Sequence, residues 1–304
     1  MPAIIQTEKL TKYYGTQRGV IDVDLAIEQG EIFGFLGPNG AGKTTTIRTM
    51  LDLIRPTSGR VSVFGIESSA DPVAIHRRTG YVPGEFNLYD RLTGGQTLEY
   101  FANLRGGVDR AYQASLVERF DLDPGRRFRE YSKGNKQKVG VIIALQHRPE
   151  LLILDEPTAG LDPLVQQTFF TTLREAVADG STVFLSSHIL SEVEKSCHRV
   201  AIIRDGRLVK VDTVAALRDL AHHQVELRFA GPVPLAEFAG LPGVSDVVGD
   251  DHVLHMRVSG PITPVVQAAA RYELIDFVSR EPGLEETFLA QYGGGSVEAE
   301  GHGR

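Results

Sequence analysis

Gly37-Pro38-Asn39-Gly40-Ala41-Gly42-Lys43-Thr44 is the stretch on which the reading of this sequence turns. It meets G-x-x-x-x-G-K-[ST] at every fixed position, and it lies between Glu31 to Leu36, which reads as a strand, and Lys43 to Leu53, which reads as a helix. Each residue type has a reason to be there. The glycines let backbone N–H groups curl around phosphate oxygens, and the helix start adds partial positive charge. Lys43 reaches the β and γ phosphates, and the Thr44 hydroxyl can ligate Mg²⁺. A glycine-rich turn with a chance lysine is the alternative, and the strand and helix on either side argue against it.

A second, acidic site follows far downstream. Leu151-Leu152-Ile153-Leu154 are four consecutive apolar residues, as expected of a strand buried on both faces, and they lead into Asp155-Glu156. Ligands of open parallel sheets bind at the carboxyl ends of such strands. Asp155 is then expected to hold the Mg²⁺ shell and Glu156 to polarise the attacking water. Taken alone, an acidic pair after an apolar strand is more often a helix cap. Pro157 and the upstream phosphate loop reverse that preference.

The 304 residues carry 32 Lys+Arg against 39 Asp+Glu, a net charge of −7, which speaks against a basic grip on nucleic acid. With 42% apolar residues the chain can bury a core and is not of the disordered class. The longest apolar stretch, Val139 to Leu145, is far short of the roughly 20 residues that span a bilayer. The opening MPAIIQTEKL has no basic region followed by an apolar one, so neither a membrane span nor a secreted precursor is expected. A single cysteine, Cys197, excludes an internal disulfide.

Strand-like runs at Ile21 to Ile27, Glu31 to Leu36, Leu151 to Leu154, Thr182 to Leu185 and Val200 to Ile203 alternate with helical stretches. That order predicts an α/β domain over about 4–220 with a mostly parallel sheet. The strand signal vanishes over about 85–149, where Gln96 to Leu104, Tyr112 to Phe120 and Asn135 to His147 read as helices, so a helical insertion is expected there. Beyond it, Val225, Leu227 and Phe229, and then Leu254, Met256 and Val258, alternate with polar residues. With helices expected at Pro264 to Arg271 and Leu284 to Tyr292, residues 221–292 suit a small ferredoxin-like α+β domain, and 293–304 reads as a flexible tail.

Further segments complete an ordered set: Tyr14-Gly15 upstream of the phosphate loop, Tyr131-Ser132-Lys133-Gly134-Asn135 before the acidic strand, Ala159-Gly160-Leu161-Asp162 after it, and Ser186-Ser187-His188 at the end of the next strand. In this order the chain resembles the nucleotide-binding subunit of ATP-binding cassette (ABC) transporters over residues 4 to about 220. Within that family it looks most like the ATPase of two-component exporters of the antibiotic-resistance type. Phe277-Val278 and Pro282 to Leu289 are similar, more weakly, to the accessory tail domain of such ATPases.

The resemblance implies a P-loop ATPase using ATP and Mg²⁺. Its nucleotide set would be Tyr14 on adenine, Gly37, Pro38, Asn39, Gly40, Ala41, Gly42, Lys43, Thr44 and Thr45 on the phosphates, and Ser132, Gly134 and Asn135 on ATP held by a second copy, with Asp162 touching that partner. Glu156 and His188 would be catalytic, and Thr44 and Asp155 would hold the metal. It further implies a separate membrane permease as partner, a peripheral position on the cytoplasmic face of the membrane, and no nucleic acid. Simpler roles compete: Tyr14 as a strand-end aromatic, Ser132 as a helix cap, Gly134 as a turn residue, His188 as a solvated helix-start histidine.

The chain departs from the family pattern in three places. The usual Leu-Ser-Gly-Gly-Gln reads Tyr131-Ser132-Lys133-Gly134-Asn135, and Gly125-Arg126-Arg127-Phe128 stands where many exporters carry a Glu-rich segment. After Tyr81-Val82-Pro83 the customary Gln is Gly84, followed by Glu85, which is therefore a candidate carboxylate for Mg²⁺. No heptad run separates Lys43 from Asp155, against a chromosome-maintenance ATPase. A single phosphate loop and the acidic balance argue against a translation factor, and Asn135-Lys136-Gln137-Lys138 lacks the final Asp of a guanine reader.

Overall fold

The computed structural model describes residues 3–85, 87–219, 223–233, 235–250 and 252–280. The chain divides into two compact units between Thr213 and Val214. In the first unit the elements run β1 (Ala3–Tyr14), β2 (Gln17–Glu28), β3 (Ile32–Leu36), α1 (Lys43–Met50), β4 (Ser58–Val63), β5 (Ile66–Glu67), α2 (Pro72–Arg78), β6 (Thr79–Val82), α3 (Gly94–Leu104), α4 (Arg110–Arg119), α5 (Lys133–Leu145), β7 (Leu151–Asp155), α6 (Pro163–Ala178), β8 (Thr182–Ser187), α7 (Leu190–Ser196), β9 (Arg199–Arg204) and β10 (Arg207–Thr213). The second unit holds α8 (Val214–Asp219), β11 (His223–Phe229), α9 (Leu235–Ala239), β12 (Val244–Gly249), β13 (Val253–Val258), α10 (Thr263–Ala269) and β14 (Leu274–Arg280).

A six-stranded sheet in the order β10-β9-β3-β8-β7-β6 carries the chemistry. All its pairings are parallel except β9 with the edge strand β10. β3, β7 and β8 are buried along their whole length, as their unbroken apolar text requires. Phe33, Phe35 and Phe184 stack through the core, with the Phe35 and Phe184 rings 5.3 Å apart.

One expectation is corrected. β2, which covers Ile21 to Ile27, is not part of the parallel sheet: it belongs to a separate antiparallel sheet ordered β2-β1-β4-β5. Its burial alternates along the strand, with Val23, Leu25 and Ile27 inside and Asp22, Asp24 and Ala26 turned outward or partly so. That is the pattern of a sheet with one face on the core and one in water.

The helical insertion is fixed by local chemistry at each helix start. Thr93 and Gln96 form a reciprocal capping box on α3, the Asp109 carboxylate accepts from the N–H groups of Ala111 and Tyr112 on α4, and Ser132 accepts from Asn135 on α5. Arg105, at the end of α3, donates to the carbonyls of His76, Arg77 and Thr79 and so ties the insertion to the end of α2 and the start of β6. α5 lies so close to β6 that a β-carbon placed on Gly80 would stand 2.2 Å from the Ala144 carbonyl oxygen.

The second unit shows strand, helix, strand, strand, helix, strand, with an antiparallel sheet ordered β12-β13-β11-β14. Val225, Leu227, Phe229, Leu254, Met256 and Val258 form its core with Phe238 and Val265 of the helices. The helix expected at Leu284 to Tyr292 and the tail 293–304 lie outside the described residues.

Gly80→Ala is expected to destabilise the protein by about 1–3 kcal/mol, because a methyl group there must push α5 off β6. Thermal unfolding of the two proteins side by side measures this, and an unshifted midpoint would mean that the contact is slack.

Candidate functional site

The phosphate loop joins β3 to α1. Its start is held to the sheet by the Gly37 N–H donating to Ser187 O at 3.2 Å, and the loop closes on itself through the Ala41 N–H to Pro38 O at 3.1 Å. Gly42 has φ +109, and a β-carbon there would meet Val20 Cγ1 at 2.5 Å, so both conformation and space demand glycine. Lys43 opens α1 with its side chain 5% exposed. Its Nζ donates to Gly37 O at 2.7 Å and Pro38 O at 3.2 Å and lies 3.1 Å from Glu156 Oε1. The ammonium is thus fixed inside the curl of the loop, with no acidic residue in the first turn of α1 to compete for an anion.

The acidic pair closes the other side. Asp155 ends β7 and is 1% exposed, yet both its oxygens are satisfied: Thr44 Oγ1 donates to Oδ2 at 2.7 Å and Ser186 Oγ to Oδ1 at 2.6 Å. Glu156 is next in sequence but sits at φ +49, with its N–H donating to Ser186 O and Oγ, both at 3.2 Å. Its carboxylate lies between Lys43 and His188, whose Nδ1 is 3.3 Å from Oε2. Burial, then the Asp155 charge, pushes the Tyr81 phenol up to about 12, so this neighbour stays a neutral donor. A hydroxyl and a buried carboxylate converging on one point are hard oxygen donors, a set that fits Mg²⁺ rather than a soft metal.

Ser186 is the residue that sequence reasoning missed as a member of the site. It was visible only as part of Ser186-Ser187-His188; its role follows from register, since β7 and β8 pair with Asp155 opposite Ser186.

At the outer end of the cleft Tyr14 is 45% exposed, with its hydroxyl 3.4 Å from Thr45 Oγ1 and Lys12 Nζ 5.4 Å from its ring. Tyr14, Arg18, Gly19, Asn39, Gly40, Gly42, Lys43, Thr44, Thr45 and Glu156 line one continuous cleft. Ser132, Gly134, Asn135 and Asp162 do not line it. Ser132 caps α5 through Asn135, Asp162 caps α6 by accepting from Leu164 and Val165, and a β-carbon at Gly134 would stand 2.5 Å from Gly160 O. These segments form one surface of their own, joined to the acidic loop by Gln137 Nε2 donating to Pro157 O at 2.9 Å. Gly84 is the neighbour of Asp155, with its β-carbon position 3.4 Å from Oδ2. Glu85, next in sequence, is exposed, and the oxygen groups that this structure joins directly are Thr44 and Asp155.

Ser186→Ala removes one hydrogen bond from a buried carboxylate and is expected to cost about 1–3 kcal/mol of stability. Urea unfolding measures it; a midpoint equal to wild type would mean that Asp155 does not depend on the serine.

The family model described as "ABC transporter" matches residues 20–159. The chain is 38% identical over 222 residues to the bacitracin transport ATP-binding protein BcrA of Enterococcus faecalis, covering 71% of each chain. It is 34% identical over 302 residues to the daunorubicin resistance ATP-binding protein DrrA3 of Streptomyces coeruleorubidus, covering 94% of each. Among solved structures, an ATP-binding subunit of an ABC transporter matches with TM-score 0.66 at 32% identity, over 71% of this chain and 92% of that one. A dimeric ATP-binding cassette bound to ADP and phosphate matches with TM-score 0.64 at 24% identity, over 69% of this chain and 98% of that one, a likeness of fold. With this site on this sheet, the chain belongs to the ABC transporter family, as an ATP-binding and ATP-hydrolysing subunit.

Proposed function

We propose that this chain is the Mg²⁺-dependent ATPase of a two-component exporter, working as a pair of copies on the cytoplasmic face of the membrane against a separate permease, with a drug or antibiotic as cargo. The observation that carries the enzymatic part is a linked set of side chains at the cleft: Thr44 bonds the buried Asp155, and Glu156 lies between Lys43 and His188. The cargo class rests on the relatives, whose names speak of bacitracin transport and daunorubicin resistance. Among the described residues no helix is long and apolar enough to cross a membrane. Nucleotide chemistry falls to residues 4–220, where every phosphate and acidic motif lies, and an accessory role to 221–292.

The residues divide the work. Tyr14 offers an exposed aromatic face to adenine, and the loop N–H groups with Lys43 take the phosphates. Lys43 now bonds Glu156; a phosphate arriving at Nζ replaces one anion by another and releases Oε1 to accept the proton of an attacking water. His188 holds the other carboxylate oxygen and is placed to orient the same water or the γ-phosphate. Thr44 and Asp155 would hold Mg²⁺, which when bound neutralises charge on the β and γ phosphates. Ser132, Gly134, Asn135 and Asp162, standing outside their own cleft, would close on the nucleotide of a second copy.

Glu156→Gln is expected to keep ATP binding and to lower turnover by about 10²-fold or more, as loss of a general base does. Near-normal turnover would sink the role given to Glu156. In that background light scattering is expected to report an ATP-dependent dimer that Ser132→Arg abolishes; an arginine variant that dimerises as well as its parent would remove Ser132 from the interface.

A further inference from the structure

Arg18, at the start of β2, is a cation of the nucleotide cleft to which neither the phosphate-loop motif nor the family resemblance gives a task. It lines the same cleft as Tyr14, Gly40, Gly42 and Lys43. Its position is built rather than incidental. Nη2 donates to Asp205 Oδ1 at 2.9 Å, and its stem runs across Gly206, where a β-carbon would stand 3.3 Å from both Cγ and Cδ. Gly206 is itself pinned on both sides: its N–H donates to Ala41 O of the phosphate loop at 3.0 Å, and its carbonyl accepts from the Ile21 N–H at 2.7 Å. The β9–β10 turn therefore fixes the guanidinium in a frame shared with the loop that cradles phosphate.

Asp205 does not serve Arg18 alone: it also faces Arg204, whose Nε is 3.7 Å from Oδ2, so one carboxylate is shared between two guanidinium groups. The Arg18 side chain is 44% exposed, and Asp205 is its hydrogen-bond partner among the described residues, which leaves Nε and Nη1 for a ligand. Lys43 is enclosed at the bottom of the cleft, whereas Arg18 stands at its mouth. A planar fork of donors at that place matches phosphate oxygens better than it matches a neutral base or sugar.

We propose that Arg18 is a second phosphate-binding cation of this site, held in place by Asp205, and that it binds the phosphate chain of a nucleoside di- or triphosphate. The proposal rests on the nucleotide reading of the cleft and adds to it a residue outside the phosphate loop. Calorimetric titration with ATP and ADP, and competition by adenosine, test it on full-length protein. Arg18→Ala is expected to weaken ATP and ADP by about tenfold, the loss of one charge-assisted contact, with adenosine unchanged. Arg18→Lys is expected to recover part of that loss, and Asp205→Ala to weaken ATP less than Arg18→Ala, because the cation survives without its holder. Unchanged ATP affinity in Arg18→Ala would overturn the proposal. So would an equal loss for adenosine, or an equal loss in Asp205→Ala, either of which makes the pair a latch on the β1–β2 hairpin. Lys43→Ala separates this from the underlying reading: if that variant binds ATP as wild type does, the phosphate site itself is misassigned, whatever Arg18 does.

Discussion

The hydrogen bond from Thr44 to Asp155, 2.7 Å long, is the interaction on which the rest of the site depends. A carboxylate that is 1% exposed carries a heavy desolvation cost unless its oxygens are met, and here two hydroxyls meet them, Thr44 on one side and Ser186 on the other. Those hydroxyls come from α1 and β8, and Asp155 from β7. The strand order β3-β8-β7 makes this possible: the loop after β3, the end of β8 and the end of β7 are adjacent at one edge of a parallel sheet. Moving any one strand by a place would strand the carboxylate.

Beside the Arg105 tie to α2 and β6, the helical insertion is joined to the acidic strand and its loop through α5. Three contacts run along that helix: Gly134 against the Gly160 carbonyl, the Gln137 side chain to Pro157 O, and Gly80 of β6 beneath the Ala144 carbonyl. Two are close approaches that only glycine permits, and the third spends a buried amide on a backbone carbonyl just after Glu156. The segment proposed to meet a second copy and the segment bearing the proposed base are therefore one packed piece. The Tyr131-Ser132-Lys133-Gly134-Asn135 departure leaves that piece intact because the residues it retains, Ser132 and Gly134, are those that cap the helix and allow the approach.

How much of this was legible in the sequence depends on whether the information is local. The phosphate loop and the strand before Asp155 could be read because each is a contiguous pattern whose chemistry sits in adjacent residues. The antiparallel sheet of β1, β2, β4 and β5 could not, because β1 breaks its alternation with register shifts between Thr7 and Leu10 and between Leu10 and Lys12, which blur the period-two signal. Ser186 and Arg18 were invisible for another reason: each has a partner far off in sequence, Ser186 meeting Asp155 across the β7–β8 pairing and Arg18 meeting Asp205 in the β9–β10 turn of the other sheet. The residue beside Asp155 after β6 is likewise Gly84, since only the fold says which of two adjacent residues lies against that carboxylate.

Asp155 and Glu156 also raise a geometric problem that the backbone solves. Consecutive residues of a strand point to opposite faces, so a β7 extended by one residue would aim Glu156 away from the cleft that Asp155 serves. Instead Glu156 takes φ +49, a left-handed conformation that costs a non-glycine residue about 1–3 kcal/mol. The chain turns there, and both acids face the same cleft, Asp155 towards Thr44 and Glu156 towards Lys43 and His188. The two bonds from the Glu156 N–H to Ser186 hold the turn from behind. The strain thus lies at the one position where two adjacent carboxylates must share a site yet keep separate partners, and Ser186, bonded to both residues, holds them apart.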